Sequence, residues 1–172
     1  VAAEHIGITP AESIEALAAF QGVRRRLEVR GTVGGVTVID DFAHHPTAIA
    51  TTIAGLRARM RAGNHPGGRL LAVLEPRSNT MRTGTLKAQL PASLKDADLV
   101  FCYAGGIDWD AQAALAPLGE HVAVLRDMPA LEAAILAAAR PGDQVLVMSN
   151  GGFGGIHSRL LAGLASREGN GK

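Results

Sequence analysis

The chain predicts a three-layer α/β fold, a six-stranded and mostly parallel sheet with one antiparallel edge strand and helices on both faces. Three observations predict it. Short apolar or β-branched runs alternate with stretches at helical spacing long enough for right-handed crossovers between parallel strands. The first two strand-like runs instead flank Gly34-Gly35, a two-residue turn that makes one antiparallel hairpin. At 172 residues and 47% hydrophobic content, the chain is long enough to bury one good core.

The elements follow in order. Thr9 and Glu12 form a capping box for a helix over 10–20, whose apolar positions are Ile14, Leu17, Ala18 and Phe20. Strands are predicted over 27–33 and 36–39, and Pro46 suits the first turn of a helix over 47–61. A strand over 69–74, a helix over 84–95, a strand over 97–103 and a helix over 109–116 come next. A strand over 121–125, a helix over 129–139, a strand over 144–148 and a helix over 156–166 complete the pattern. Residues 63–68 and 140–143 are the clearest loops.

Composition excludes several classes. The net charge of +1 comes from 17 basic and 16 acidic residues, and the run Arg24-Arg25-Arg26 is too short for a nucleic-acid footprint. No stretch approaches the ~18 uninterrupted apolar residues of a membrane span, so neither nucleic acid nor membrane is expected as a partner. Val1-Ala2-Ala3-Glu4-His5 lacks the pattern of a signal peptide, which points to a cytoplasmic setting. Cys102, the single cysteine, reads as a small buried hydrophobe within an apolar run.

Ligands of open α/β sheets bind outside the carboxyl ends of the strands. Those ends carry Asp40-Asp41, Glu75-Pro76-Arg77, Ala104-Gly105-Gly106 and Ser149-Asn150-Gly151-Gly152, which are expected to face one crevice. Asp41 suits either ribose hydroxyls or a helix cap, and His44 and His45 stand beside a helix amino end that favours anions. Asp40, Asp41, His44 and His45 are also donor types for a metal, but adjacent residues rarely converge on one ion, so no metal site is expected. The loop over 75–84 offers Arg77 and Arg82 with Ser78, Asn79 and Thr80, suited to bidentate grip on a carboxylate. The four glycines over 149–155 let backbone N–H groups approach a ligand closely, although neither a dinucleotide fingerprint nor a P-loop is present. Trp109 and Tyr103 fall near the crevice side, with Tyr103 expected in the core.

Four blocks together resemble the carboxyl-terminal part of the Mur ligases. They are Phe20-Gln21-Gly22-Val23-Arg24-Arg25-Arg26, the stretch from Val38 to Thr47, Leu74-Glu75-Pro76-Arg77-Ser78-Asn79-Thr80-Met81, and the stretch from Met148 to His157. The second, third and fourth narrow the resemblance to members that join UDP-N-acetylmuramate to L-alanyl-γ-D-glutamyl-meso-diaminopimelate in cell-wall recycling. The resemblance implies a Rossmann-like domain over 23–167, preceded over 1–22 by the end of a central ATPase domain and a hinge. Residues 168–172 would be a disordered tail.

It implies ATP and Mg2+ as cofactors, the magnesium bound mainly by the central domain. The partners implied are UDP-N-acetylmuramate, the murein tripeptide and the remaining two domains of the ligase. Residue by residue, Arg26, or Arg25 one register away, matches an arginine that reaches ATP phosphates. Asp41 matches the aspartate that holds the ribose, and His44 the histidine of the same motif. Arg77 matches the arginine that takes a diaminopimelate carboxylate, within a loop that also supplies Ser78, Asn79 and Arg82. Leu74-Glu75 departs from the Asp-Asn of that motif. Ser149, Asn150, Gly151 and Gly152 occupy a second peptide-contacting position but lack the glutamate found there in relatives.

In that scheme ATP phosphorylates the lactyl carboxylate and the tripeptide's L-alanyl amine attacks the acyl phosphate, so no catalytic residue lies within this domain alone. The fragment is expected to be inactive by itself. The competing readings are a non-catalytic nucleotide- or peptide-binding module, a small metal-dependent hydrolase, and a Mur ligase adding a single amino acid.

Overall fold

Gly34 and Gly35 both take positive φ, 58° and 73°, which two adjacent residues with Cβ atoms would resist. They turn β1 (Glu28–Val33) back on β2 (Val36–Asp41) as the expected antiparallel hairpin. The computed structural model describes residues 2–18, 23–63 and 67–169. Before the hairpin lie two helices, α1 (Ala2–His5) and α2 (Pro10–Ala18). Thr9 and Glu12 close the predicted capping box, each accepting from the other's backbone N–H. Phe20, Gln21 and Gly22, part of the loop over 63–68, and the last three residues of the tail lie outside the described residues.

After the hairpin the chain alternates helix and strand. The helices are α3 (Pro46–Ala62), α4 (Asn79–Arg82), α5 (Leu90–Leu94), α6 (Ala111–Leu115), α7 (Met128–Ala138) and α8 (Ile156–Gly169). The strands are β3 (Leu70–Leu74), β4 (Leu99–Tyr103), β5 (Val122–Leu125) and β6 (Gln144–Met148). The sheet order is β1-β2-β6-β3-β4-β5, and every pair beyond the hairpin is parallel. The last strand in sequence is therefore inserted between β2 and β3.

Because strand side chains alternate with period two, each central strand serves both faces. Ile39, Ala72, Leu74, Leu146 and Met148 face the layer of α3 and α5, while Val38, Leu71, Val73, Val145 and Val147 face α7 and α8. Cys102 is fully buried in the first layer, and burial pushes its thiol up to about 12, so it stays protonated and inert. At the amino end of the sheet, Arg69 forms a bidentate pair with buried Asp143 (3.1 and 2.7 Å) and donates to Ala138 O, closing that edge. Among the described residues no helix is long and apolar enough to cross a membrane.

The helix predicted over 84–95 is not continuous. Gly84 adopts φ 75° beneath the Trp109 ring, where a Cβ would come within 2.7 Å of the indole, and only a short 3-10 turn, Lys87–Gln89, precedes α5. The missing turns appear upstream as α4, inside the loop that carries Arg77. Trp109 belongs to the core rather than the crevice: its Nε1 donates to Met81 O at 2.7 Å. The helix over 109–116 is likewise shortened to α6, capped by Asp110, and gives way to 3-10 turns over Ala116–His121 that include Pro117 and Gly119.

Leu146 lies wholly buried in the central strand. Leu146→Ala is expected to lower unfolding free energy by about 2–5 kcal/mol, read as a reduced urea midpoint at unchanged slope.

Candidate functional site

The alternation that fills the core also separates the two carboxylates at the end of β2. Asp41 turns to the α3 face and Asp40 to the α8 face, and both are buried. Asp41 Oδ2 accepts from Leu27 N (2.8 Å), while Oδ1 accepts from Ala43 N (2.8 Å) and Thr52 Oγ1 (3.2 Å). Its first task is to brace the turn that leads into α3. His45 caps that helix, its Nδ1 accepting from Thr47 N at 3.4 Å, with Pro46 in the first turn as predicted.

Asp40 meets two basic side chains. Arg25 Nε stands 3.3 Å from its Oδ2, and His157 Nε2, at the start of α8, stands 3.3 Å from its Oδ1. Burial, with Arg30 and Arg25 nearby, holds the His157 pKa below its ordinary 6.5 against the attraction of Asp40. Arg25 then reaches across the strand ends, its Nη2 donating to Ser149 O (2.5 Å) and Gly151 O (2.8 Å). Its backbone takes φ 58° and that of Leu27 takes φ 47°, conformations that residues with Cβ atoms seldom adopt. The turn is held by Arg25 N donating to Glu28 Oε2 and by Phe42 N donating to Arg25 O, at 2.8 and 2.9 Å. The first of these bonds keeps the Glu28 carboxyl below its usual value.

Arg26 projects from this turn and is exposed, with its guanidinium 5.9 Å from the centre of the Phe42 ring. His44 is half-buried and packs edge-on against the same ring, its Nδ1 bonded to Phe42 O at 2.9 Å. Arg26, Phe42 and His44 therefore form one rim beside the end of β2.

The other half of the site lies across β6. The ladder continues past the strands, with Ser149 N donating to Asp41 O (3.2 Å) and Glu75 N to Met148 O (3.1 Å). Ser149 Oγ donates to Glu75 Oε2 and accepts from Gly151 N. Arg77 lies directly on Gly151, where a Cβ would come within 2.3 Å of its Nη1, so only glycine allows this approach. Glu75, Arg77 and Arg82 line a pocket of about 210 Å³ with Tyr103 and Ile107. Tyr103, expected in the core, is half-buried: it packs on Phe153 and also walls this pocket. Ser78 and Asn79 begin α4 and do not line it. Asn150 Oδ1 is buried without a hydrogen-bond partner among the described residues, and Gly152 is exposed.

The four strand ends thus come together as predicted. Among the described residues no cluster of three or more His, Cys, Asp or Glu side chains could hold a metal ion. Glu75 lines the pocket at the strand end where the sequence reading put it. Sequence reasoning missed the bridging role of Arg25 and the Asp40–His157 contact.

Two outcomes follow from this wiring. Arg25→Ala should speed amide hydrogen exchange at Gly151 while leaving the core amides of β3 protected, and Arg25→Lys, with no fork for two carbonyls, should restore little. The depressed His157 pKa means that the folded chain binds fewer protons than the unfolded one between that value and 6.5. Stability therefore rises with pH through that window and is lost as pH falls below 6.5. Urea midpoints measured from about pH 5 to 8 should show this slope, flattened in His157→Gln.

Residues 25–151 match the family model described as Mur ligase, glutamate ligase domain. A curated UDP-N-acetylmuramate–L-alanyl-γ-D-glutamyl-meso-2,6-diaminoheptandioate ligase of Escherichia coli (strain K12) is 48% identical over 169 residues, covering 96% of this chain and 36% of its own length. A solved murein peptide ligase from Psychrobacter arcticus 273-4 superposes with a TM-score of 0.73 at 38% identity, over 95% of this chain and 35% of that one. A solved domain assigned to a ligase of the same kind from Haemophilus ducreyi 35000HP gives 0.68 at 46% identity, over 81% of this chain and 100% of that one. The chain spans about a third of the length of the curated relatives it matches. A family match running from the arginine turn to the glycine loop shows that the chain belongs to the Mur ligases, as their carboxyl-terminal domain.

Proposed function

We propose that this chain is the carboxyl-terminal domain of an ATP-dependent ligase that joins UDP-N-acetylmuramate to L-alanyl-γ-D-glutamyl-meso-diaminopimelate. One observation carries the reading. Arg77, which makes no hydrogen bond or ion pair among the described residues, is laid against Gly151 at a pocket that also holds Arg82. An exposed guanidinium fork left unpaired there is suited to the carboxylate at the far end of such a peptide. The names of the E. coli and P. arcticus relatives support the same substrate class.

The rim of Arg26, Phe42 and His44 fits the edge of a nucleotide. Arg26 has its charge exposed for phosphate oxygens, and among the described residues His44 keeps one ring nitrogen without a partner. We assign the ribose to Asp41, which stands at the end of β2 beside this rim. When bound, ATP supplies the phosphoryl group that activates the lactyl carboxylate. The residues present do not fit a magnesium site, so we assign Mg2+ to the domains beyond this chain.

Within that reaction this domain positions and neutralises rather than reacts, which is most of what phosphoryl transfer asks of a protein. Arg26 offsets phosphate charge, while Arg77 and the residues over 149–152 hold the peptide so that its amine reaches the activated carboxylate. A free α-amine has a pKa near ~8, so enough is unprotonated at neutral pH without a base here. We take residues 1–22 as the end of the central domain and the hinge, and 23–167 as this domain. We take the reaction to be cytoplasmic, where ATP and a UDP-linked sugar are supplied.

Calorimetric titration of this chain with the tripeptide tests the reading. Binding should weaken about 10–100-fold in Arg77→Ala and with a peptide lacking diaminopimelate. Equal binding by a nucleotide and no response to the peptide would favour a nucleotide module instead. With ATP, UDP-N-acetylmuramate and tripeptide present, the chain alone should form no amide product, and product formation would overturn the division of labour.

A further inference from the structure

We propose that the protonation state of His157 sets whether Arg25 grips the glycine loop, which makes Asp40 and His157 a pH-sensitive positioning pair for the strand-end site. This goes beyond the function proposed above and holds whatever ligand the pocket at Arg77 takes.

One guanidinium joins the parts. Arg25 Nε faces Asp40 Oδ2 at 3.3 Å, Nη2 donates to Ser149 O and Gly151 O, and Cζ stands 5.1 Å from the centre of the Phe42 ring. Gly151 in turn carries Arg77 against its backbone. What holds Arg25 therefore holds the loop on which Arg77 lies.

Asp40 also answers to His157. The imidazole Nε2 is buried 3.3 Å from Oδ1, yet it has no aligned hydrogen bond among the described residues. The two basic groups face different oxygens of one carboxylate, so both draw on the same charge.

The charged groups around His157 decide the direction. Asp40 on β2 favours a proton there, while Arg25 on the turn and Arg30 on β1 oppose it. Glu28 on β1 is already bonded to Arg25 N and Arg30 Nη1, and on α7 Glu132 is paired with Arg159 of α8. While His157 is neutral, Asp40 is left to Arg25 and keeps its fork in line with the two carbonyls. A proton on His157 adds a positive charge beside both arginines and draws Asp40 toward the ring. Exposure then decides which partner gives way. The His157 side chain is 12% exposed and cannot reach water without moving α8, whereas that of Arg25 is 29% exposed and can turn outward. Ser149 O and Gly151 O lose their shared donor. The coupling is reciprocal, so Arg25 in place keeps protons off His157.

The test follows isotope-labelled chain by NMR from about pH 5 to 8. It reads the His157 ring and the amide nitrogens of Asn150 and Gly152, which share peptide units with the carbonyls of Ser149 and Gly151. Both amides should shift with the midpoint of His157, below 6.5. Protection of Gly151 N against exchange, corrected for its intrinsic rate, should fall about tenfold on the acid side. His157→Gln should abolish the step at both amides, which separates His157 from His44 and His45 at the start of α3. Arg25→Ala should raise the His157 midpoint and leave both amides without a step, with β3 amides unmoved as a check on the fold. Amides that hold steady while His157 titrates, or a step that persists in His157→Gln, would overturn the proposal. An unchanged His157 midpoint in Arg25→Ala would do the same, and it is readable even if His157→Gln fails to fold. No ligand enters these measurements, so the function proposed above stands or falls separately.

Discussion

The last rung of the sheet holds the site together. Ser149 N donates to Asp41 O and Glu75 N to Met148 O, so three loops leave β2, β6 and β3 side by side at fixed height. These bonds extend ladders already in register, with Asp41 opposite Met148 and Met148 opposite Leu74. That register depends on β6 lying between β2 and β3, where a strand apolar on both faces is covered on each side. Had the last strand joined an edge instead, the glycine loop would lie far from Arg77.

Period-two alternation imposes the second constraint. It sends Asp40 and Asp41 to opposite faces, which makes their convergence on one ion geometrically excluded and gives each a different duty. Asp41 collects two backbone N–H groups and a hydroxyl, and so fixes the turn into α3. Asp40 sits between Arg25 and His157. Burying a carboxylate is costly unless it is paired, and here the pairing also aims Arg25 at the carbonyls of Ser149 and Gly151.

Much of this was legible in the sequence because it follows from local rules. The hairpin was written in Gly34-Gly35, the parallel core in the all-apolar strands, and the start of α3 in His45-Pro46. The strand-end loops were legible for the same reason, since strand direction alone decides which ends meet. The helix over 84–95 failed where a tertiary contact won: Trp109 packs over Gly84, and apolar spacing cannot register that collision. Trp109 left the crevice for the core, and Tyr103 came to serve both, because their burial depends on neighbours from distant segments, Met81 for one and Phe153 for the other. Arg25 could not be separated from Arg26 by residue type. What separates them is a positive φ at Arg25 that the Glu28 and Phe42 contacts impose.

That distinction bears on how a multidomain ligase would use this domain. Arg26 leaves a turn whose backbone is bonded to Glu28, Asp41 and Phe42, so it is not a free arm but part of the β2 edge. From the same turn Arg25 grips Ser149 O and Gly151 O, and Gly151 supports Arg77. The rim of Arg26, Phe42 and His44 and the pocket beside Arg77 are therefore joined by an unbroken chain of short contacts and must move as one body. In the ligase proposed above, a hinge on the amino-terminal side of this turn would bring both to the reacting groups in a single rotation, with their spacing already set. Alignment of phosphate and amine would then depend on the angle of one hinge rather than on two independent loops, which would lower the number of motions that have to coincide at the moment of reaction.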